Sequence, residues 1–276
     1  MDPPRCHKVP GSCPRGLNGS PPCSESHGEH LTEVARAPGG TWRDVVDVEA
    51  EHRSASSFRS PWPGRMMDPE LNETGMRQAD MVAPLLSKEA KPAAIYSSDM
   101  KRAVQTAQTI AAASGSHLVI DRELTEMHMG VFQGRNIDDV ITSEAYKAFA
   151  RGGRDQEIPG GGESLNQLSE RCVSRLNAIA KKHNGEWVVV VSHEMVIKEI
   201  CRHADPTSSD GRKIPNTSIS VVHISGSDGR WILEKLGDVG HLAGDGFPPE
   251  CFYPLAAMAF CVAVYLLLML AQTVEA

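Results

Sequence analysis

Between the two ends of the chain, the densest apolar run is Val188-Val189-Val190-Val191, and it stops abruptly on Ser192-His193. Four consecutive β-branched residues predict a strand buried on both faces, the pattern of a central strand in a parallel sheet. Residues 194–203 take up a helical spacing of apolar positions. His193 therefore sits where a buried strand gives way to a helix, the place at which open α/β sheets bind ligands. Upstream, 71–75 opens a helix with Met81, Val82, Leu85 and Leu86 as its buried stripe, and Pro84 predicts a kink or break. A short strand at 93–96 turns through Ser97-Ser98-Asp99 into a helix from Met100 to about Ala113. Leu118 to Ile120 is another strand, followed by a loop around Glu126. Helices are expected at 137–150 and 163–182, separated by the turn Pro159-Gly160-Gly161-Gly162. Strands 219–224 and 231–236, joined by the turn at 226–229, close the pattern. Strands alternating with helices predict a three-layer αβα domain with a mostly parallel sheet.

The two ends differ in kind from this core. Residues 1–43 are rich in Pro, Gly, Ser and Cys without hydrophobic period, and read as a disordered or targeting extension. Cys6, Cys13 and Cys23 lie near His7, His27 and His30 but form no C-x-x-C pair, so disorder is the default over a zinc site. At the other end, 252–272 is apolar and uncharged after a linker at 243–251. At ~1.5 Å per residue such a stretch spans roughly the ~30 Å hydrocarbon core, so a membrane-spanning helix is expected there. That implies a chain anchored in a membrane and facing the cytosol, or a cytoplasmic one should the tail be no anchor.

Composition narrows the field. The net charge of −7 and the lack of a basic cluster exclude a nucleic-acid binder. Seven scattered cysteines make no disulfide framework and fit a reducing compartment.

Three segments carry candidate chemistry. Arg102 opens the helix after Ser97-Ser98-Asp99-Met100-Lys101, where free backbone N–H groups attract an anion and a guanidinium can fork onto phosphate. Glu126 lies in a loop after a strand. There a partly desolvated carboxyl group beside an anion has its pKa raised and can act as a general acid. His193 is the third.

With these residues in place, the chain resembles the histidine phosphatase superfamily in its phosphoglycerate mutase-like branch, closest to the plant-type members. The matching stretches are 68–75 (Asp68 to Gly75), Tyr96 to Ala103, Glu126 with Gly130 and Gly134, Gly161-Gly162-Glu163-Ser164, and Val191-Ser192-His193, covering about 67–242. The resemblance implies a phosphohistidine route without metal or other cofactor, acting on a small phosphorylated metabolite. By position it implies Arg102 as a phosphate clamp, Glu126 as the proton donor and His193 as a supporting, phosphate-binding histidine. The family's first motif, a strand ending in Arg-His-Gly that carries the nucleophile, has no counterpart. Region 44–66 holds only Glu51-His52-Arg53, with Glu51 in the place of the arginine and Arg53 in that of the glycine.

A degraded first strand is therefore expected, because Asp47, Glu49 and Glu51 suit a buried strand poorly. His52 is the one candidate nucleophile. An acidic neighbour repels phosphate, and a side chain in place of glycine blocks close backbone approach. Three readings follow: a phosphate pocket impaired for want of its nucleophile, an active metal-independent phosphatase (a mutase ranking below it), and a membrane-tethered phosphate-binding or interaction module. Met127, where mutase-like relatives carry arginine, weakens the case for a carboxylate-bearing substrate. Loss of resemblance before Met67, together with the apolar tail, is the pattern of a family core joined to two altered ends.

Overall fold

A computed structural model describes residues 44–49, 68–88, 91–183, 185–208, 213–225 and 228–243, the first of these as backbone. The extension 1–43, the segment 50–67 with His52, the linker and the apolar stretch 252–272 lie outside the described residues. Among the described residues no helix is long and apolar enough to cross a membrane.

The strands are β1 (Asp44–Glu49), β2 (Ile95–Ser97), β3 (Leu118–Ile120), β4 (Val188–Ser192), β5 (Ile219–Ile224) and β6 (Trp231–Asp238). The helices are α1 (Glu73–Lys88), α2 (Lys101–Ser114), α3 (Ile137–Thr142), α4 (Glu144–Arg151), α5 (Leu165–Lys182) and α6 (Glu194–Ala204). One sheet runs in the order β3-β2-β4-β1-β5-β6. Its first four members are parallel, while β5 and β6 are antiparallel to their neighbours.

The run of valines is explained by this topology. Val189 and Val191 face one core, with Ile95, Val82, Ala107 and Ile110. Val188 and Val190 face the other, with Leu168, Leu176, Ile197 and Ile200. Because side chains alternate along a strand, a strand covered on both faces needs apolar residues at every position. Each fully buried valine contributes on the order of 1.5–3 kcal/mol of transfer free energy.

Several expectations need correcting. The first strand is formed rather than lost. Val45 to Glu49 pair in parallel with Val188 to Ser192, and Asp44 to Val48 pair antiparallel with Ile219 to His223. Ladder hydrogen bonds join main-chain groups, so acidic residues in the sequence do not prevent pairing. Helix α1 continues through Pro84, which is exposed. Its buried stripe is Gly75, Gln78, Ala79, Val82, Ala83 and Leu86, with Met81 and Leu85 only half-buried. The single helix expected at 137–150 is two. Ser143 ends α3 and caps α4, its Oγ accepting from the Tyr146 N–H at 3.2 Å while donating to the Val140 carbonyl at 2.6 Å. A serine that bonds the backbone on both sides competes with helix continuation. Helix α5 starts at Leu165 behind a capping box, in which Ser164 and Gln167 each bond the other's backbone N–H.

Candidate active site

The site is built where the parallel strands end. The Ser98 N–H donates to the Val191 carbonyl at 3.0 Å, extending the β2–β4 ladder one step past β2. This brings Ser98 Oγ to 2.8 Å from His193 Nε2, both residues being buried. His193 is the N-cap of α6, with extended backbone dihedrals, so its ring leaves the strand end before the helix begins. Ser98 belongs to the stretch that carried the resemblance, yet nothing in the sequence assigned it a partner.

Arg102 stands in the first turn of α2 and is 2% exposed. An isolated helical arginine is ordinarily a solvated charge; a buried guanidinium must be compensated or it costs several kcal/mol, roughly. The helix start itself differs from expectation. The Lys101 N–H donates to Asp68 Oδ1 at 2.7 Å, and the Met100 N–H donates to Ser98 Oγ at 3.2 Å. These two amides are thus already engaged. Asp68 also fixes the segment leading into α1, together with the Leu71 N–H bonded to Gln105 Oε1 at 2.7 Å.

Glu126 follows a 3₁₀ turn at Arg122–Leu124, which Asp121 caps by accepting from the Glu123 N–H. Ser192 Oγ donates to the Leu124 carbonyl at 2.8 Å, so the residue preceding His193 ties this loop to the end of β4. Glu126 is half-buried and its Oε1 accepts from the Met127 N–H at 2.7 Å. Met127 itself is 1% exposed and packs in the core cluster.

Behind Glu126 the glycine turn is packed against the loop 128–131. The Val131 N–H donates to the Pro159 carbonyl at 2.8 Å. Gly130 has φ +48°, and a Cβ there would lie 2.2 Å from the Pro159 oxygen. The resemblance marked Gly130 and Gly162 without giving a reason; close backbone approach is the reason. Sequence reasoning also missed Arg171. Its guanidinium grips Glu163 with Nε–Oε1 2.9 Å and Nη2–Oε2 3.0 Å, and reaches the carbonyls of Glu123 and Thr125. An arginine at an interior helix position carries no signal of such a role.

Ser98, Arg102, His193 and the Glu126 loop are thus gathered at one edge of the sheet, level with the end of β1, where Glu49 pairs with Ser192. His52 lies outside the described residues. Among the described residues no cluster of three or more His, Cys, Asp or Glu is placed to hold a metal ion.

A parallel-rich αβα sheet with a histidine leaving β4, an arginine opening α2 and a carboxylate in the loop after β3 defines a class. The chain belongs to the histidine phosphatase superfamily (branch 1), whose profile matches residues 59–239. The match begins upstream of residue 67, where the resemblance was expected to start.

Among curated proteins it is similar to phosphoglycerate mutase-like protein 4 of Arabidopsis thaliana. The two are 46% identical over 184 residues, 66% of this chain and 80% of that protein. It is also similar to the metal-independent phosphoserine phosphatase of Arabidopsis thaliana, 41% identical over 217 residues, 75% of this chain and 90% of the relative. Among solved structures, phosphoserine phosphatase from Entamoeba histolytica in complex with 3-phosphoglyceric acid superposes with TM-score 0.63 at 23% identity. That superposition covers 72% of this chain and 99% of that one. Likeness at this identity speaks for the fold.

Proposed function

We propose that this chain binds a small phosphomonoester at the carboxyl edge of its sheet, and that its capacity to hydrolyse the ester is limited by the sequence following β1. The observation that carries this reading is the buried His193–Ser98 pair, followed one turn on from Ser98 by the buried Arg102 at the start of α2. Hydrogen-bond donors and a guanidinium held in a low-dielectric setting suit the oxygens of a phosphoryl group. Arg102 would clamp those oxygens, His193 would support them, and Glu126 would protonate the departing ester oxygen. Phosphoserine and 3-phosphoglycerate are the first ligands to try, because the relatives' names and the ligand in the Entamoeba structure point to small phosphorylated acids.

Limited turnover rests on the order of residues after the last paired position of β1. Glu49 pairs with Ser192, the next residue in the chain is Ala50, and His52 comes only after Glu51. The residue that follows Glu49 in the sequence, as His193 follows Ser192, is an alanine and carries no nucleophile.

The second reading, an active phosphatase, is favoured by the formation of β1 at the centre of the sheet and by phosphatase relatives. On that route a ring nitrogen of His52 attacks phosphorus as the ester P–O bond breaks. The leaving oxygen takes its proton from Glu126, and water then cleaves the N–P bond to release inorganic phosphate.

Titration with inorganic phosphate and assay of phosphoserine hydrolysis, on the parent chain, Arg102→Ala and His52→Ala, separate the two. Phosphate binding lost in Arg102→Ala, with slow hydrolysis indifferent to His52→Ala, is expected. Brisk hydrolysis abolished by His52→Ala would establish the second reading, and phosphate binding unaffected by Arg102→Ala would remove both.

A further inference from the structure

We infer that Arg171 and Glu163 form the positioning pair for Glu126, holding the candidate proton donor in place from both sides. This rests on the phosphomonoester reading of the site, but the geometry is independent of the nucleophile. Arg171 Nη1 donates to the Glu123 carbonyl at 2.7 Å and to the Thr125 carbonyl at 3.0 Å, immediately before Glu126. Glu163 Oε2 accepts from the His128 N–H at 2.8 Å, and the Glu163 N–H donates to the His128 carbonyl at 2.8 Å, two residues after Glu126. The two side chains are locked together by a bidentate fork and are only 13% and 17% exposed.

Charge-assisted, paired bonds in such a setting are the strong kind. Their distribution is the telling point: they fall on the backbone on either side of one carboxylate. The Glu126 side chain adds its own bond to the Met127 N–H, so the peptide units from 123 to 128 have little freedom left. A general acid must meet the leaving oxygen within hydrogen-bond reach, and a misplacement of about 1 Å is costly to proton transfer. Arg171 acts through the backbone carbonyls of Glu123 and Thr125.

The test uses the parent chain with Arg171→Ala, Arg171→Lys and Glu163→Gln, and Glu126→Gln as the reference. Two esters are compared: phosphoserine, whose alkoxide leaving group needs a proton, and 2,4-dinitrophenyl phosphate, whose leaving group does not. Arg171→Ala and Glu163→Gln should lower kcat on phosphoserine by about 10- to 100-fold, as general-acid contributions allow, and leave the aryl ester nearly unchanged. Arg171→Lys, which keeps the charge and loses the fork, should fall between.

Amide hydrogen exchange is measured on the same variants. The Met127 and His128 N–H groups should exchange about tenfold faster or more, with β4 amides and inorganic phosphate affinity unchanged. Equal loss on both esters, or unaltered exchange at Met127 and His128, would overturn the inference. A parent chain that hydrolyses neither ester counts against the hydrolytic reading alone, and the exchange measurement then decides this one.

Discussion

His193 Nε2 and Ser98 Oγ lie 2.8 Å apart, joining the end of β4 to the residue that follows β2 across two neighbouring strands. The bond fixes the imidazole at the place where β4 passes into α6, and Ser98 Oγ also holds the Met100 N–H at the start of α2. One hydroxyl therefore couples His193 to the helix that carries Arg102. Removing it should loosen both.

Ser98→Ala is expected to weaken affinity for inorganic phosphate by about 0.5–1.5 kcal/mol, roughly two- to twelvefold, the net worth of one hydrogen bond. Calorimetric titration with inorganic phosphate measures it. An unchanged Kd would mean that the histidine is oriented by other contacts.

Gly130→Ala should destabilise the fold rather than merely perturb the site. The left-handed backbone costs about 1–2 kcal/mol for an alanine, and the added Cβ would press on the Pro159 carbonyl from 2.2 Å. Urea unfolding should show a loss of about 3 kcal/mol or more, the range of strained or overpacked positions. Gly161→Ala, where a Cβ meets nothing within 4 Å, shares the positive φ without the clash and should lose less.

Glu199 on α6 is 5% exposed at its side chain and is gripped by Arg154 (Nη1–Oε1 3.2 Å) and Arg202 (Nη2–Oε2 2.9 Å). Arg154 belongs to the segment after α4, so this carboxylate binds that segment to the helix beginning at His193. Removing one partner of a buried ion pair costs about 3–5 kcal/mol; the two guanidinium groups are about one-third exposed and can rehydrate, so Glu199→Ala should cost roughly 2–3 kcal/mol by the same principle. Thermal unfolding checks this, and a Tm equal to the parent's would refute it.

Two histidines should make the fold sensitive to mild acid. Burial lowers the pKa of His241, with the Asp238 carboxylate opposing part of that effect, and burial with the nearby Arg202 lowers His203. A lowered folded pKa means that the unfolded chain takes up protons first. Stability is therefore intact above the ordinary histidine value of about 6.5 and declines as pH falls from there toward the lowered folded values. Urea midpoints at pH 7.5 and 5.5 should show the decline, and the double variant His203→Gln with His241→Gln should flatten it. Equal slopes in both proteins would show that other groups titrate in this window.

How much of this was written in the chain depends on whether a feature is local. The valine run of β4 determines a strand buried on both faces, because alternation leaves no position for a polar side chain. Strand β3, the closing pair of strands and the helix that starts after Ser98 were legible as well, from short apolar runs bounded by turn residues. Arg102, Glu126 and His193 could be nominated because each stands at the junction of a strand with a loop or helix.

What the sequence left open is what depends on partners far away along the chain. Acidic residues argued against β1, but its neighbours β4 and β5 supply main-chain partners on both sides, and pairing needs no particular side chains. Ser143 splits a helix because its hydroxyl finds backbone groups on both sides. Ser98 reaches His193, Ser192 reaches Leu124, and Arg171 reaches across to the backbone around Glu126, over separations from 46 to 95 residues. Periodicity cannot report such contacts, since a hydrogen bond is decided by where two atoms lie in space. The chain by itself determined the layers and nominated three reactive side chains; only tertiary packing decided which neighbours hold them.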